Sequence, residues 1–380
     1  MTTPGYRYAE SYTFQFSASA RSLRREEETT MTNRHAGGRL ALAWALLAVA
    51  GLAPQRANAQ TILFNCFFPP QHYTCRVMLH DWSKAIEKAT EGRVKFSIPP
   101  KSLAAPPNQY DGVVNGVMDG ALQFNQFISN KVTGIQVGQL PFIGTESAEA
   151  GSVALWRTYQ KFFAAKKEYG PVVLLADYVS SGAEFWSMTD QPIRSIEDLK
   201  NRKMWALPGV PANIIKATGS AVVAGPAVQM LETISKGVVD GFVGVSFSSI
   251  TSFKLTDYTR WVTVFPDKIF TPTFSFFISQ KKWDTISEAD RKAIVALSGE
   301  KISRHFGQVQ DGVNNKSRVE LLKGGLKAIE GDPKMLAELK AIGQPMTDAW
   351  LKKVAAMGVD GKAAIAYYRS VLAAEDAKRK

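Results

Sequence analysis

The chain has 380 residues, of which 45% are hydrophobic, 11% aromatic and 21% charged. That length suffices for two cored domains, and that composition excludes wholesale disorder. No apolar run of about 18 residues follows residue 60, which excludes a multi-span helical membrane protein. The formal charge is +12, of which +3 lies in residues 1–59 and +9 in the remainder. The basic residues are scattered, with no nucleic-acid motif, so a nucleic-acid partner is not expected.

Leu40 to Pro54 is strongly apolar, follows Arg34, His35 and Arg39, and precedes Ala57-Asn58-Ala59. That order is a secretory signal peptide with cleavage before Gln60. Met31 stands where such a peptide begins, so residues 1–30 are expected to be an upstream extension from a start codon placed too early. Residues 31–59 are the expected leader, and export is expected. Two cysteines, Cys66 and Cys75, follow the cleavage point. An even number in an oxidising compartment favours a disulfide, worth roughly 2–3 kcal/mol for so short a loop. Zinc would need more ligands than His72 and His80 offer, and no metal or cofactor is expected.

Thr61 to Phe64 reads as a buried strand, and Met78 to Thr90 as a helix stopped at Glu91-Gly92. Val94 to Ile98 alternates as a second strand. Tyr110 to Met118 is helical, and Ala121 to Phe124 is a third strand. A long helix is expected over about Ala148 to Tyr169, then strands over Val172 to Leu175 and Phe185 to Met188. Met204 to Leu207 is extended, Ala212 to Thr218 and Val228 to Ser235 helical, Val238 to Val243 a strand. Phe274 to Ile278 is the next strand, and Glu288 to Ala377 is helical, broken at Gly324-Gly325, Gly343 and Gly361. Strands alternating with helices predict an α/β fold. The order suits two lobes joined by crossing strands.

No nucleophile elbow, phosphate loop, dinucleotide fingerprint or zinc-protease motif occurs, and no enzyme is expected. Aromatics instead gather where strands are expected to end: Phe67, Phe68, Phe124, Phe185, Trp205 and Phe270 among them. Each could be core, but strand ends in α/β sheets are where ligands bind.

Three blocks then resemble the solute-binding proteins of TRAP transporters, the DctP-like family. Thr90-Glu91-Gly92-Arg93-Val94 with Pro100 to Leu103 is similar to the family's opening block. Gln191-Pro192-Ile193-Arg194-Ser195-Ile196-Glu197-Asp198-Leu199-Lys200 is similar to a second, and Gly237-Val238-Val239-Asp240-Gly241 to a third. The resemblance runs through residues 61–350. It implies a two-lobed periplasmic-binding-protein fold with a long lobe-spanning helix, closing on a small solute and delivering it to the TRAP membrane permease subunits. It places lobe I at 60–182, lobe II at 183–272, a return with the spanning helix at 273–310 and a C-terminal helical region at 311–380. A monomer not itself embedded in the membrane is expected.

The family usually carries an Arg that grips a substrate carboxylate where this chain has Trp205. A second basic position falls on Glu184 or Phe185, depending on the count. The resemblance with these departures implies a cation-selecting site: Trp205 as a cation–π face, Glu184 as the anion, and a small amine such as ethanolamine or choline as solute. Gln123, Asn125 and Ser246 are expected to hydrogen-bond it beside Val245. The alternatives are a neutral or weakly acidic organic compound on the same fold, and a sensing subunit that presents its closed form to a receptor kinase.

Overall fold

The computed structural model describes residues 59–144 and 146–379. The expected upstream extension and all but the last residue of the expected leader lie outside the described residues. Eleven strands follow in chain order among them: β1 (Gln60–Asn65), β2 (Val94–Ser97), β3 (Gly120–Phe124), β4 (Val172–Val179), β5 (Glu184–Ser187), β6 (Lys203–Ala206), β7 (Ala221–Ala224), β8 (Gly241–Val245), β9 (Trp261–Val264), β10 (Thr273–Ser279) and β11 (Lys327–Glu330).

They form two sheets, each the floor of one lobe. The first runs β2-β1-β3-β10-β4 and the second β11-β9-β5-β8-β6-β7. Strands β1, β2 and β3 are mutually parallel, while β10 runs antiparallel to both β3 and β4. In the second sheet β5 is the antiparallel member, between β8 and β9. Connections between parallel neighbours run through helices, as parallel pairing requires.

The chain passes between sheets at 180–183, at 265–272, and a third time from β10 to β11. The last passage contains the 25-residue helix Gly299–Lys323. This helix packs on helix Ala148–Phe162 and β4 of the first lobe, and on helix Phe247–Ser252 of the second. Gly307 makes that approach close, since a Cβ there would lie 2.6 Å from Ala148 O. Asp311, one turn on, accepts hydrogen bonds from Ala148 N (2.7 Å) and Glu149 N (3.2 Å), two amides left free at the start of helix Ala148–Phe162.

Several elements differ from the sequence reading. Helix Ala148–Phe162 stops seven residues before Tyr169, where a short 3-10 turn ends on Lys167 at φ +53°. The long helix crosses residue 310, so the expected boundary there divides one element. Gly343 lies inside helix Pro333–Ala356, not at its end. There it lets the helix touch Pro141, whose Cβ would be 2.8 Å from an added Cβ. The short strands β7, β9 and β11 carry too few residues to show alternation.

Candidate functional site

Registry across the first sheet sets one wall of the site. Phe274 of β10 pairs with Phe124 of β3 on one side and Tyr178 of β4 on the other. Side chains of paired residues share a face. The three rings therefore form a continuous row, with Phe274 at 5.4 Å from Phe124 and stacked at 5.0 Å on Tyr178. One residue along each strand, Gln123, Ser275 and Asp177 make the matching row on the opposite face.

The aromatic row faces a cavity bounded on the second-lobe side by Leu207, Pro226, Ala227, Gly244 and Val245. These residues sit at or just beyond the C-terminal ends of β6, β7 and β8, the usual ligand position for parallel strands. Ser180 and Pro272 from the passages between sheets, and Ser249 and Phe253 from the second lobe, also line it. Among the described residues no Asp, Glu, Lys or Arg lines this cavity.

The remaining wall is the loop after β1. Cys66 and Cys75 form a disulfide, and the loop it closes carries Phe67, Phe68, His72 and Tyr73 into the lining. Phe68 lies 4.5 Å from Phe67 and stacks on the His72 ring at 4.1 Å with 9° between planes. Tyr73 covers the other side of that ring at 4.2 Å. His72 is buried, which drives its pKa down to about 3 and keeps the ring neutral. Tyr73 donates its hydroxyl proton to Gln310 Oε1 (2.5 Å) on the long helix. Gln310 Nε2 donates to Ser248 Oγ (3.0 Å) and Ser181 Oγ (3.4 Å). One amide thus ties the cavity wall to the first passage between lobes and to the second lobe.

Of the residues singled out in the sequence, the structure brings Phe67, Phe68, Phe124 and Val245 together in the lining. It turns the others elsewhere. Gln123 accepts from Tyr110 N (2.9 Å) and donates to Phe124 O (2.8 Å) on the far face. Asn125 is held by Thr273 and Ser275 behind the same sheet. Ser246 pairs with Ser248 at 3.0 Å. Phe185 packs edge-on against Phe265, and Phe270 is wholly buried; neither lines the cavity.

Trp205 is buried in β6 two residues before Leu207 and lies outside the lining, about 6.6 Å down the strand from it. Glu184 is not available to a solute cation. Its Oε1 accepts from Lys268 Nζ at 2.6 Å, and both side chains are buried. Burial pushes the Glu184 carboxyl up to about 7 against the opposing pull of Lys268. Lys268 lies 84 positions away in the second passage, so no local pattern announces the pair. Tyr178, Phe274 and Phe253 were missed because only strand pairing and lobe closure bring them to Phe124. No group of His, Cys, Asp and Glu among the described residues could hold a metal ion.

Comparison with known proteins agrees with this architecture. Residues 67–353 match the bacterial extracellular solute-binding proteins of family 7, DctP. A protein of Comamonas testosteroni named outer membrane transporter protein TsaT is 39% identical over 330 residues, covering 87% of this chain and 96% of that one. A TRAP periplasmic solute binding protein from Bordetella bronchiseptica, crystallised with (R)- and (S)-mandelate, superposes with a TM-score of 0.77 at 28% identity, over 82% of this chain and 98% of that one. A TRAP solute binding protein from Rhodoferax ferrireducens, in complex with copurified benzoate, gives 0.74 at 25% identity, over 84% and 99%.

Proposed function

The chain belongs to the DctP family of bacterial extracellular solute-binding proteins and is a TRAP solute-binding protein, not an enzyme; on that footing we propose that its solute is a small aromatic organic acid. The observation that carries the reading is the cavity itself: an aromatic row and a stacked Phe68–His72–Tyr73 set, with no charged side chain in the lining. Such walls favour a flat ring, each aromatic contact contributing about 0.5–1.5 kcal/mol beyond area burial. Hydroxyls and neutral N–H groups are then left to hold the acid, at about 1.5–3 kcal/mol per hydrogen bond to a charged group. The bound solutes of the Bordetella and Rhodoferax proteins, mandelate and benzoate, support the same class.

A small amine remains the competing solute class, and the structure takes away its two anchors: Glu184 is bound to Lys268 and Trp205 lies below the cavity. Export through residues 31–59, hand-over to the membrane permease subunits and a monomeric state belong to this proposal. A melting screen separates the classes. An aromatic acid at about 100 times its Kd should add roughly 2.7 kcal/mol of stability, visible as a shift of several degrees. Benzoate, 3-hydroxybenzoate and mandelate are the acids to run against ethanolamine and choline. Stabilisation by an amine with none from any acid would overturn the reading.

A further inference from the structure

Proton bookkeeping on one ring shows what the solute must offer. The neutral His72 imidazole carries a single proton, on one of its two nitrogens. Its Nδ1 accepts a hydrogen bond from Thr74 N at 3.3 Å, which places that proton on Nε2. Among the described residues Nε2–H has no acceptor, although the side chain is 95% buried and forms part of the cavity wall. Nε2 is not among the fully buried unpaired atoms and so keeps access to the cavity; a solute that covers it must supply the acceptor that solvent otherwise provides.

The ring cannot swing away to find water. Phe68 and Tyr73 hold its two faces and Phe253 lies 5.6 Å off. The backbone is fixed as well: His72 N donates to Pro69 O, while Cys75 N and Arg76 N donate to His72 O. The disulfide closes the same loop. Of the three rings packed on His72 only Tyr73 titrates, and burial raises its hydroxyl above the usual value. No neighbouring ring therefore changes charge between pH 5 and 8.

We infer that His72 is the specificity-determining donor of the cavity, its Nε2–H binding an oxygen of the solute's acid group as a neutral hydrogen-bond donor and not as a cation. The inference rests on the aromatic-acid reading. It predicts selection by hydrogen-bond acceptance: a ring bearing a carboxylate is taken, and the same ring bearing an ammonium, which only donates, is refused.

The test uses the full chain purified after export, with benzoate, 3-hydroxybenzoate and mandelate as probes and benzylamine as the donor-only counterpart. His72→Phe keeps the stack and removes the proton. It should weaken the tightest probe by about tenfold or more, the equivalent of one lost hydrogen bond to a charged group. Wild-type affinity should stay flat from pH 5.5 to 8, whereas a His cation as the binding group would lose about tenfold per pH unit above its pKa. In nitrogen-15 spectra of the wild type, the His72 Nε2–H proton should move downfield on adding the probe. Equal affinity of His72→Phe and wild type, a falling pH profile, or an unmoved Nε2–H signal with probe bound would overturn the assignment to His72 and leave the aromatic-acid reading standing. Failure of all three acids to bind wild type would overturn both.

Discussion

Ser275 Oγ lies 2.6 Å from Asn125 Oδ1, 2.6 Å from Asp177 Oδ1 and 2.7 Å from the Tyr169 hydroxyl. A serine hydroxyl has one proton, and it cannot serve two acceptors at once. If Asp177 is protonated, every contact is satisfied: Asp177 and Tyr169 donate to Ser275, and Ser275 donates to Asn125. The fully buried carboxyl agrees, with desolvation pushing it up to about 7. The folded pKa is raised above the ordinary value of 3.8, so the native state holds a proton that the unfolded chain releases. Stability from this group is therefore complete below about pH 3.8 and is lost as pH rises towards 7. Asp177→Asn keeps a donor towards Ser275 without the charge, and should stabilise the protein by a few kcal/mol at pH 7.5 while changing little at pH 4. Glu184 and His72 also titrate on the acid side, so the difference between variant and wild-type melting curves is the quantity to read. A constant difference from pH 4 to 8 would mean that Asp177 is ionised in the native state. At this scale the sequence showed which residue types were present but not which way they faced. Gln123 and Asn125 flank Phe124, and period-2 alternation sends them to this polar layer and Phe124 to the cavity.

The elements were easier to read than the faces, because long amphipathic helices and buried strands state their period over many residues. Helix His80–Ala89 and the first sheet's central strands lie within a few residues of expectation, whereas helix Ala148–Phe162 ends seven residues early, helix Pro333–Ala356 runs through Gly343, and β7, β9 and β11, four residues each, did not register. The element that matters most for binding is the loop from Cys66 to Cys75, which no periodicity describes. Its disulfide was legible from cysteine count and compartment, yet its role as a wall was not, since that depends on Phe274 and Phe253 arriving from distant strands and helices. Replacing both cysteines by serine should cost about 2–3 kcal/mol of stability through the freed ten-residue loop. It should also weaken solute binding by about five- to fiftyfold, because Phe67, Phe68, His72 and Tyr73 would have to be ordered on binding. Titration calorimetry beside thermal melts separates the two effects. A variant that melts lower but binds as before would show that core packing alone holds the wall.

Closure of the whole molecule converges on two glycines with different work. Gly182, in the first passage between sheets, lies against the Lys268 side chain of the second, where an added Cβ would come within 2.2 Å of Cγ. Gly209, just after β6, meets Gln126, just after β3 in the other lobe, and an added Cβ would lie 2.3 Å from Gln126 Cδ. Gly209 also has φ +90° and ψ −133°, a conformation that a side chain strains by roughly 1–3 kcal/mol. The backbone strain is present whether the lobes are open or closed, but the contact with Gln126 exists only when they meet. Gly209→Ala should therefore lower both melting temperature and affinity, the latter by about tenfold as closure is opposed. Gln126→Ala removes the obstructing group, so the double variant should recover affinity while its melting temperature stays low. That pattern is a coupling between contacting residues, which a double-mutant cycle on Kd measures directly. Small-angle scattering supplies the geometric readout: wild type and double variant should compact on adding saturating solute, and Gly209→Ala should compact less. If the two substitutions instead add independently in Kd, Gln126 and Gly209 do not meet in the bound state, and the lobes close by another route.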